Sequence, residues 1–309
     1  MKLQRFAVAL ACLTFILLIV GALVHNTGSS LACPDWPLCY GQVFPRMVGG
    51  ILVEHSHRLL AASVGVLTIA LLVGMVRRAL RDGDRNLIGL GAAALACVIA
   101  QGVLGGLTVL YRLPTWTSTA HLGTSMIFFS LVIYIAFRLR EPAAEPRAPL
   151  APSVARWTLA AAALIYAQMI LGALIRHLGA GLACVELPLC QGHLFPPGAH
   201  PYVQLHMLHR LIAVIAFVVV AAASVVTWRA ARGRSSARRL ALLAPGLVLV
   251  QIALGVLSIT SFRDLIPLTA HLAVAALILA NLWSLHLVAR GELGVRAENR
   301  AVTLDGVIA

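Results

Sequence analysis

The sequence contains few charged side chains. Asp, Glu, Lys and Arg together make up 11% of the 309 residues, whereas roughly 25% is usual for a soluble globular domain. Hydrophobic residues make up 60% of the chain, and the mean hydropathy is +0.92. This composition excludes an ordinary water-soluble domain and predicts a membrane protein.

The hydrophobic residues are gathered into eight long runs. Each is close to or above the ~20 residues that a helix needs to cross the hydrocarbon core of a bilayer. We therefore predict an all-α membrane protein with eight transmembrane helices. The runs cover about 6–25, 51–76, 87–111, 116–137, 154–175, 202–228, 240–260 and 265–289.

A signal peptide is the competing interpretation of residues 1–32. Lys2 and Arg5 precede an apolar run, and "SLAC" resembles a processing site. However, the run from Phe6 to Val24 is long for a signal peptide, and "GLAC" recurs at 181–184. We therefore expect a retained first helix.

Cations are scarce on one side of the predicted membrane. Eighteen lysines and arginines fall near the termini and in the loops after the second, fourth and sixth spans. The opposite loops hold only Arg46, Arg112, Arg176 and Arg263. By the positive-inside rule both termini are cytoplasmic. The net charge of +13 is then a topology signal with attraction to anionic lipid, and it requires no nucleic acid partner.

The chain contains an internal duplication. "GALVHNTGSSLACPDWPLCYGQVFP" from Gly21 matches "GALIRHLGAGLACVELPLCQGHLFP" from Gly172, and "TAHL" occurs at 119 and at 269. Nearly constant offsets across separate motifs are very unlikely by chance. Since each unit has four spans, we predict two tandem four-helix bundles related by a pseudo-twofold axis along the membrane normal.

The duplication also predicts the domain organisation. We expect an N-terminal bundle at 1–137, a cytoplasmic linker at 138–153, a C-terminal bundle at 154–290 and a cytoplasmic tail at 291–309. A further repeated pattern, "QxxLGxL", begins at Gln101, Gln168 and Gln251. We interpret its glycines as positions of close helix packing.

Four histidines lie early in the even-numbered spans, namely His57, His121, His209 and His271. These spans run inward from the outer surface, so the side chains would lie about 5 to 13 Å deep at 1.5 Å per residue. Each half then holds one pair of facing imidazoles in an apolar bundle. Axial ligation of a heme iron suits such a pair best.

Other roles for these residues stay open. Arg58 and Arg210 directly follow His57 and His209, and they are candidates to bind heme propionates or to extend to the interface. A single buried histidine is often a hydrogen-bonded packing residue. A zinc or copper site would use His206 and His209, which share one helix face, together with His271 and His200 or His193, and the first half lacks the same set.

The two halves differ three residues before the shared "HR", where the first half has Glu54 and the second has His206. Residues i and i+3 share a helix face, so Glu54 is predicted to point toward the pocket of His57. An acid within the membrane is a functional candidate, although pairing with Arg58 or Arg46 is the alternative. The first half is predicted to do acid/base chemistry and the second to hold a cofactor.

The outer loops contain two cysteine pairs with identical spacing, Cys33 with Cys39 and Cys184 with Cys190. The outer face of a bacterial plasma membrane is oxidising, so we expect two disulfides that each close a short loop. Spacing alone does not say whether either disulfide is redox-active.

The combination of "CPDWPLCYG", "ExxHR" and "TAHLG", repeated as "CVELPLCQG", "HxxHR" and "TAHLA", resembles the heme A synthase family over all eight spans. The resemblance implies oxidation of a ring methyl group of heme O to a formyl group, through an alcohol and a hydrated aldehyde, in the plasma membrane. His57 and His121 would hold the substrate heme, with Glu54 beside the methyl group. His209 and His271 would hold a permanent heme b for electron transfer.

The resemblance also implies partners. These are the heme O substrate, membrane lipid, a heme O synthase, cytochrome oxidase assembly factors and a quinone or other electron acceptor. A homo-oligomer is compatible with the resemblance, and no nucleic acid partner is expected. The Cys33 and Cys39 pair is similar to family cysteines proposed to help in electron or heme transfer. The alternatives are a diheme membrane electron-transfer protein and a quinone-linked thiol oxidoreductase.

Overall fold

The computed structural model describes residues 2–140 and 148–291. Within these residues it is helical, and all eight long helices are long and apolar enough to cross a membrane. The eight predicted spans are therefore confirmed. The helices are α1 (Lys2–Asn26), α2 (Gly49–Asp82), α3 (Asn86–Leu110), α4 (Thr115–Arg138), α5 (Pro152–His177), α6 (Pro201–Ala230), α7 (Ser235–Thr260) and α8 (Leu265–Ala289).

The helix ends follow from local sequence. Pro152 and Pro201 occupy the first turns of α5 and α6, where a missing backbone N–H costs nothing. Gly83 ends α2 at φ 75°, and its N–H donates to the Ala79 carbonyl, which is a typical glycine C-cap. A helix satisfies its backbone groups internally, so these apolar segments are stable as helices in lipid.

Each half closes into a four-helix bundle. Within α1 to α4, and again within α5 to α8, each helix packs against the next and the first packs against the fourth. The halves meet through α1 with α8, α4 with α5 and α4 with α8. This pattern is unchanged when the two sets of four helices are exchanged, as a pseudo-twofold axis requires. The axis itself stays a prediction.

The main hydrophobic core lies between the halves. Met126 and Phe129 of α4 pack in one cluster with Leu279 and Leu282 of α8. Trp283 of α8 adds a polar link, because its indole N–H donates to the Ser130 carbonyl at 2.9 Å. The α1 helix packs against both α2 and α4 and also reaches α8, as expected for a retained helix.

The predicted linker, 138–153, begins at the last residue of α4 and runs into the first turn of α5. Residues 141–147 of that linker and 292–309 of the predicted tail lie outside the described residues. The division into two domains stays a prediction.

Two matching loops, 27–48 and 178–200, join α1 to α2 and α5 to α6 at one end of the bundles, which we call the disulfide end. Both predicted disulfides, Cys33–Cys39 and Cys184–Cys190, are present. An isolated β-bridge follows each of them, between Cys39 and Gln42 and between Cys190 and His193.

A carboxylate organises each loop from within. Asp35 accepts the N–H groups of Tyr40 and Gly41, and Glu186 accepts that of Gln191. The hydrogen bond from Gly41, with help from Tyr40 and the charge of Arg58, holds the pKa of Asp35 below its usual value. The two loops are therefore built in the same way, as the duplication predicts.

The orientation in the membrane can be tested with alkaline phosphatase fusions, because this enzyme is active only outside the plasma membrane. The α3–α4 and α7–α8 turns lie at the disulfide end, and the α2–α3 and α6–α7 turns lie at the opposite end. We expect activity for fusions after Leu113 or Arg263, and no activity after Arg85 or Arg234. The reverse pattern would place the disulfide end in the cytoplasm.

Candidate functional site

The four candidate histidines all lie at the disulfide end, within about the first three turns of α2, α4, α6 and α8. His57 and His121 interact electrostatically within the first bundle. His209 and His271 do so within the second bundle. Each bundle thus carries two of the four histidines at the same end, and their role as paired heme ligands stays a prediction.

In the first bundle each histidine ring lies against a helix glycine. A Cβ atom at Gly21 of α1 would lie 3.0 Å from Nε2 of His57, and one at Gly105 of α3 would lie 3.2 Å from Cε1 of His121. Ordinary carbon contacts are about 3.5 to 4.0 Å. Only glycine lets these helices approach the rings so closely.

The second bundle repeats this contact. A Cβ at Gly172 of α5 would lie 3.2 Å from Cε1 of His209, and one at Gly255 of α7 would lie 3.3 Å from Cε1 of His271. In both bundles, therefore, each odd-numbered helix forms a cradle for a histidine on an even-numbered helix.

The glycines of "QxxLGxL", interpreted above as positions of helix packing, are Gly105, Gly172 and Gly255. The structure shows what they pack against, which is the histidine ring. Gly21 takes the same role in α1, although Leu17 stands there in place of the motif's glutamine. The sequence signal was present, since the motif recurs once for each histidine except His57.

The imidazoles keep nitrogen atoms free for a ligand. The Nδ1 atoms of His121, His209 and His271 are buried and have no hydrogen-bond partner among the described residues. The backbone carbonyls of Gln101 and Gln251 lie beside the imidazoles of His121 and His271. Buried imidazoles whose Nδ1 atoms have no hydrogen-bond partner in an apolar bundle suit axial ligation of heme iron. The residues present therefore fit a heme in each half.

The zinc or copper alternative gains no support from the geometry. Among the described residues, the groupings with metal-ligand spacing are Cys33 with Cys39 and His55, and Cys184 with Glu186 and Cys190. The cysteines of both are joined in disulfides and are not thiolate ligands. The backbone of His193 pairs with Cys190, and Nδ1 of His200 accepts the N–H of Tyr202 at the start of α6.

Glu54 is buried, with 3% of its surface exposed. One carboxylate oxygen accepts the Cys33 N–H at 2.8 Å, and the other pairs with Arg58. The pairing weighed as an alternative is therefore present, and it occurs in a buried setting. The carboxylate thus connects the first turns of α2 to the first disulfide loop.

Arg58 and Arg210 hold the disulfide loops to the helices. Arg58 donates to the carbonyls of Cys33, Asp35 and Leu38. In the second half Arg210 donates in a similar way to the carbonyls of Cys184, Glu186 and Pro188. The guanidinium groups proposed from the sequence to bind heme propionates are thus already bonded to the protein.

Sequence reasoning missed His55. This side chain is buried, its Nε2 bonds the Val43 carbonyl at 2.7 Å, and it lies against the Cys33–Cys39 disulfide. At the matching position of the second half, Met207 packs against the other disulfide. Aligning "EHSHR" with "HMLHR" would have shown this difference.

His206 lies close to the second pair. It is buried, it interacts electrostatically with His209, and its Nδ1 has no partner among the described residues. Unlike Glu54, which occupies the matching position, it makes no ion pair within the part of the chain that the structure describes.

Comparison with known proteins identifies relatives of this chain. A family profile described as cytochrome oxidase assembly protein matches residues 4–283. The heme A synthase of Symbiobacterium thermophilum is 35% identical over 86% of this chain and 89% of its own length. That of Lysinibacillus sphaericus is 31% identical over 94% and 96%, and that of Shouchella clausii is 31% identical over 86% and 89%.

The glycine contact can be tested on α7. Replacing Gly255 with alanine forces the His271 ring to move, because the new Cβ would lie 3.3 Å from Cε1. Overpacking of this kind costs about 1 to 3 kcal/mol, so we expect heme bound to the second half to be held roughly five- to a hundredfold more weakly. The Soret spectrum and the heme content of the purified protein measure this.

Gly246→Ala is the matched control, because it lies on the same helix and a Cβ there would meet no atom within 4 Å. We expect it to keep the wild-type heme content. Equal heme content and equal spectra in Gly255→Ala and Gly246→Ala would contradict the claim that Gly255 positions the His271 ring.

Proposed function

This chain belongs to the heme A synthase family, and on that premise we propose that it converts heme O into heme A in a bacterial plasma membrane. One observation carries the assignment of sites, namely the pair of glycine-cradled histidines that recurs in both halves. The chemistry is oxidation of a ring methyl group to an alcohol and then to a hydrated aldehyde, which loses water to give the formyl group.

The two pockets have different tasks. His57 and His121 bind the heme O substrate in the first half, and His209 and His271 bind a resident heme b in the second. When bound, heme b supplies one-electron transfer. The reason for this division is that a buried carboxylate, Glu54, comes three residues before His57, whereas a buried histidine, His206, comes three residues before His209.

Glu54 is the acid/base or charge-stabilising group of the first half. It is ion-paired with Arg58, and its carboxylate accepts a proton or stabilises positive charge generated when a methyl carbon is oxidised. Electrostatic stabilisation of this kind is strong in an apolar site because the dielectric is low. The Cys33 N–H fixes the carboxylate in position.

The substrate reaches the pocket from the lipid. Heme O carries a long farnesyl chain, and a groove of about 710 Å³ lies between α4 and α5, lined mainly by apolar atoms of Ala120, Gly123, Tyr166 and Ile170. His57 and His121 are not among its lining residues, so the groove is proposed as an entry from the lipid and is separate from the histidine pocket. Lateral access suits a ligand that is soluble in the bilayer.

The same proposal covers the wider setting. Both termini face the cytoplasm, and the heme sites lie near the outer surface. A heme O synthase supplies the substrate, cytochrome oxidase assembly factors receive the product, and a quinone or another acceptor takes the electrons. The two bundles, 1–137 and 154–290, act as the catalytic half and the heme b half.

The thiol oxidoreductase alternative is disfavoured by burial. Cys33 and Cys39 are 0% exposed, and Cys184 and Cys190 are 4% exposed. Thiol–disulfide exchange needs access to a sulfur atom. The diheme carrier alternative accounts for the four histidines but gives no role to the asymmetry between Glu54 and His206.

Extraction of the hemes from purified protein tests the proposed function against the diheme carrier. In cells that make heme O, we expect heme b together with heme O, the alcohol intermediate or heme A, separated by chromatography. Heme b alone, in the presence of available heme O, would favour the carrier and contradict the proposal.

Replacement of Glu54 with glutamine tests the role of the carboxylate. The amide still accepts the Cys33 N–H but carries no charge, so heme binding should persist while conversion of heme O to heme A falls about a hundredfold or more. Heme chromatography after expression with a heme O synthase measures the conversion. Glu186→Gln, the same change in the second loop, should convert normally, and normal conversion by Glu54→Gln would refute the role.

A further inference from the structure

A cluster of basic side chains lies at the disulfide end, where the two halves meet. His25 is near the end of α1 and His177 ends α5, and their rings meet edge to face with centroids 4.8 Å apart. Arg176, adjacent to His177, and Arg263, in the turn before α8, both act electrostatically on His25. We call these four residues the interface cluster.

Polar contacts tie the interface cluster to both halves. Arg176 donates to the side-chain oxygen of Asn26 on α1, and the Asn26 amide donates to Thr269 on α8 at 2.9 Å. Thr115, the first residue of α4, donates to the His177 carbonyl at 3.4 Å. Four helices from two bundles therefore converge on this point.

The interface cluster has no counter-charge of its own. Across residues 2–140 and 148–291, no carboxylate lies within 4.0 Å of Arg176 or Arg263. The Nε atom of Arg176 is buried and has no hydrogen-bond acceptor within those same ranges. A partly buried guanidinium without a counter-charge, such as that of Arg176, is costly, and Arg176 and Arg263 are two of only four cations in the predicted outer loops. This arrangement suits an oxyanion ligand, which a guanidinium binds through charge-assisted hydrogen bonds.

The position of the interface cluster indicates which oxyanion it binds. His177 lies against the start of α4, where Thr115 donates to its carbonyl. His121 of the first histidine pair lies six residues further along the same helix, so a ligand held by that pair lies close to the cluster. Heme carries two carboxylates on flexible propionate arms. Arg58, the other cation near this pair, already binds Glu54 and three loop carbonyls.

We propose that the interface cluster, through Arg176, binds a propionate carboxylate of the heme held between His57 and His121, and so positions the substrate. This inference rests on the proposed function, because it takes the first half as the substrate site. Since Arg176 and Arg263 belong to the second half, substrate binding in the first half then depends on the contact between the halves.

The test compares a heme that has free propionates with one that lacks their charge. Protein purified with its heme b is placed in phosphatidylcholine nanodiscs and titrated with hemin or with hemin dimethyl ester, and the Soret change reports binding to the first half. A charge-assisted hydrogen bond to the propionate should make the wild type bind hemin roughly tenfold or more tightly than hemin dimethyl ester. In Arg176→Gln this preference should fall to about one.

Two further variants separate charge at the interface cluster from charge elsewhere. Arg176→Lys keeps the positive charge and should restore part of the preference. Arg112→Gln removes an exposed arginine from the α3–α4 turn of the first half, and it should leave the preference unchanged. A wild-type preference in Arg176→Gln, or equal loss in Arg112→Gln, would overturn the proposal.

Two more outcomes identify how the proposal would fail. If Arg176→Gln loses bound phosphatidylglycerol by native mass spectrometry while keeping the preference for hemin, the cluster binds a lipid phosphate and the proposal is wrong. If Arg176→Gln keeps the wild-type preference for hemin while the wild type converts heme O to heme A, the role of Arg176 is refuted and the proposed function stands. If the first half of the wild type binds neither hemin nor its ester, both fail.

Discussion

The contact between a histidine ring and a helix glycine organises the functional end of this protein. It occurs four times, once for each candidate ligand, and always joins neighbouring helices of one bundle. A side chain larger than hydrogen at these glycines would press on the ring, so the helix spacing and the ring position depend on each other. A ligand site on rigid helices is held more firmly than one on loops. The bundle therefore positions the imidazoles through its own helix packing.

The duplication supplied two similar scaffolds that differ in a few buried side chains. The loop architecture is the same in both halves, with an arginine bound to loop carbonyls and a disulfide beneath it. The differences are at Glu54 against His206 and at His55 against Met207. The first change exchanges an acid for a histidine, and the second places a histidine where the other half has a methionine. Glu54 and His55 both bond the backbone of the first disulfide loop, at Cys33 and at Val43.

The two halves are also joined by polar groups at the disulfide end. Most of the interface consists of apolar side chains on α4 and α8, but its end carries Asn26, Arg176 and two histidines in contact across the boundary. Apolar packing alone has little driving force between helices in lipid, whereas interhelical hydrogen bonds add specificity. Such contacts define how one half sits on the other, and they bring Arg176 of the second half against Asn26 of the first.

The sequence by itself determined the eight spans, the repeat, the two disulfides and the grouping of four histidines. These features are encoded locally, by hydropathy over about 20 residues and by motif spacing. Only the tertiary structure decided which side chains are in contact. "QxxLGxL" named the glycines but not the rings that rest on them, and "HR" did not show that Arg58 turns toward loop carbonyls. The meeting of His25 with His177 joins residues far apart in the chain, because helix rotation and bundle packing, which no local pattern encodes, choose the partners.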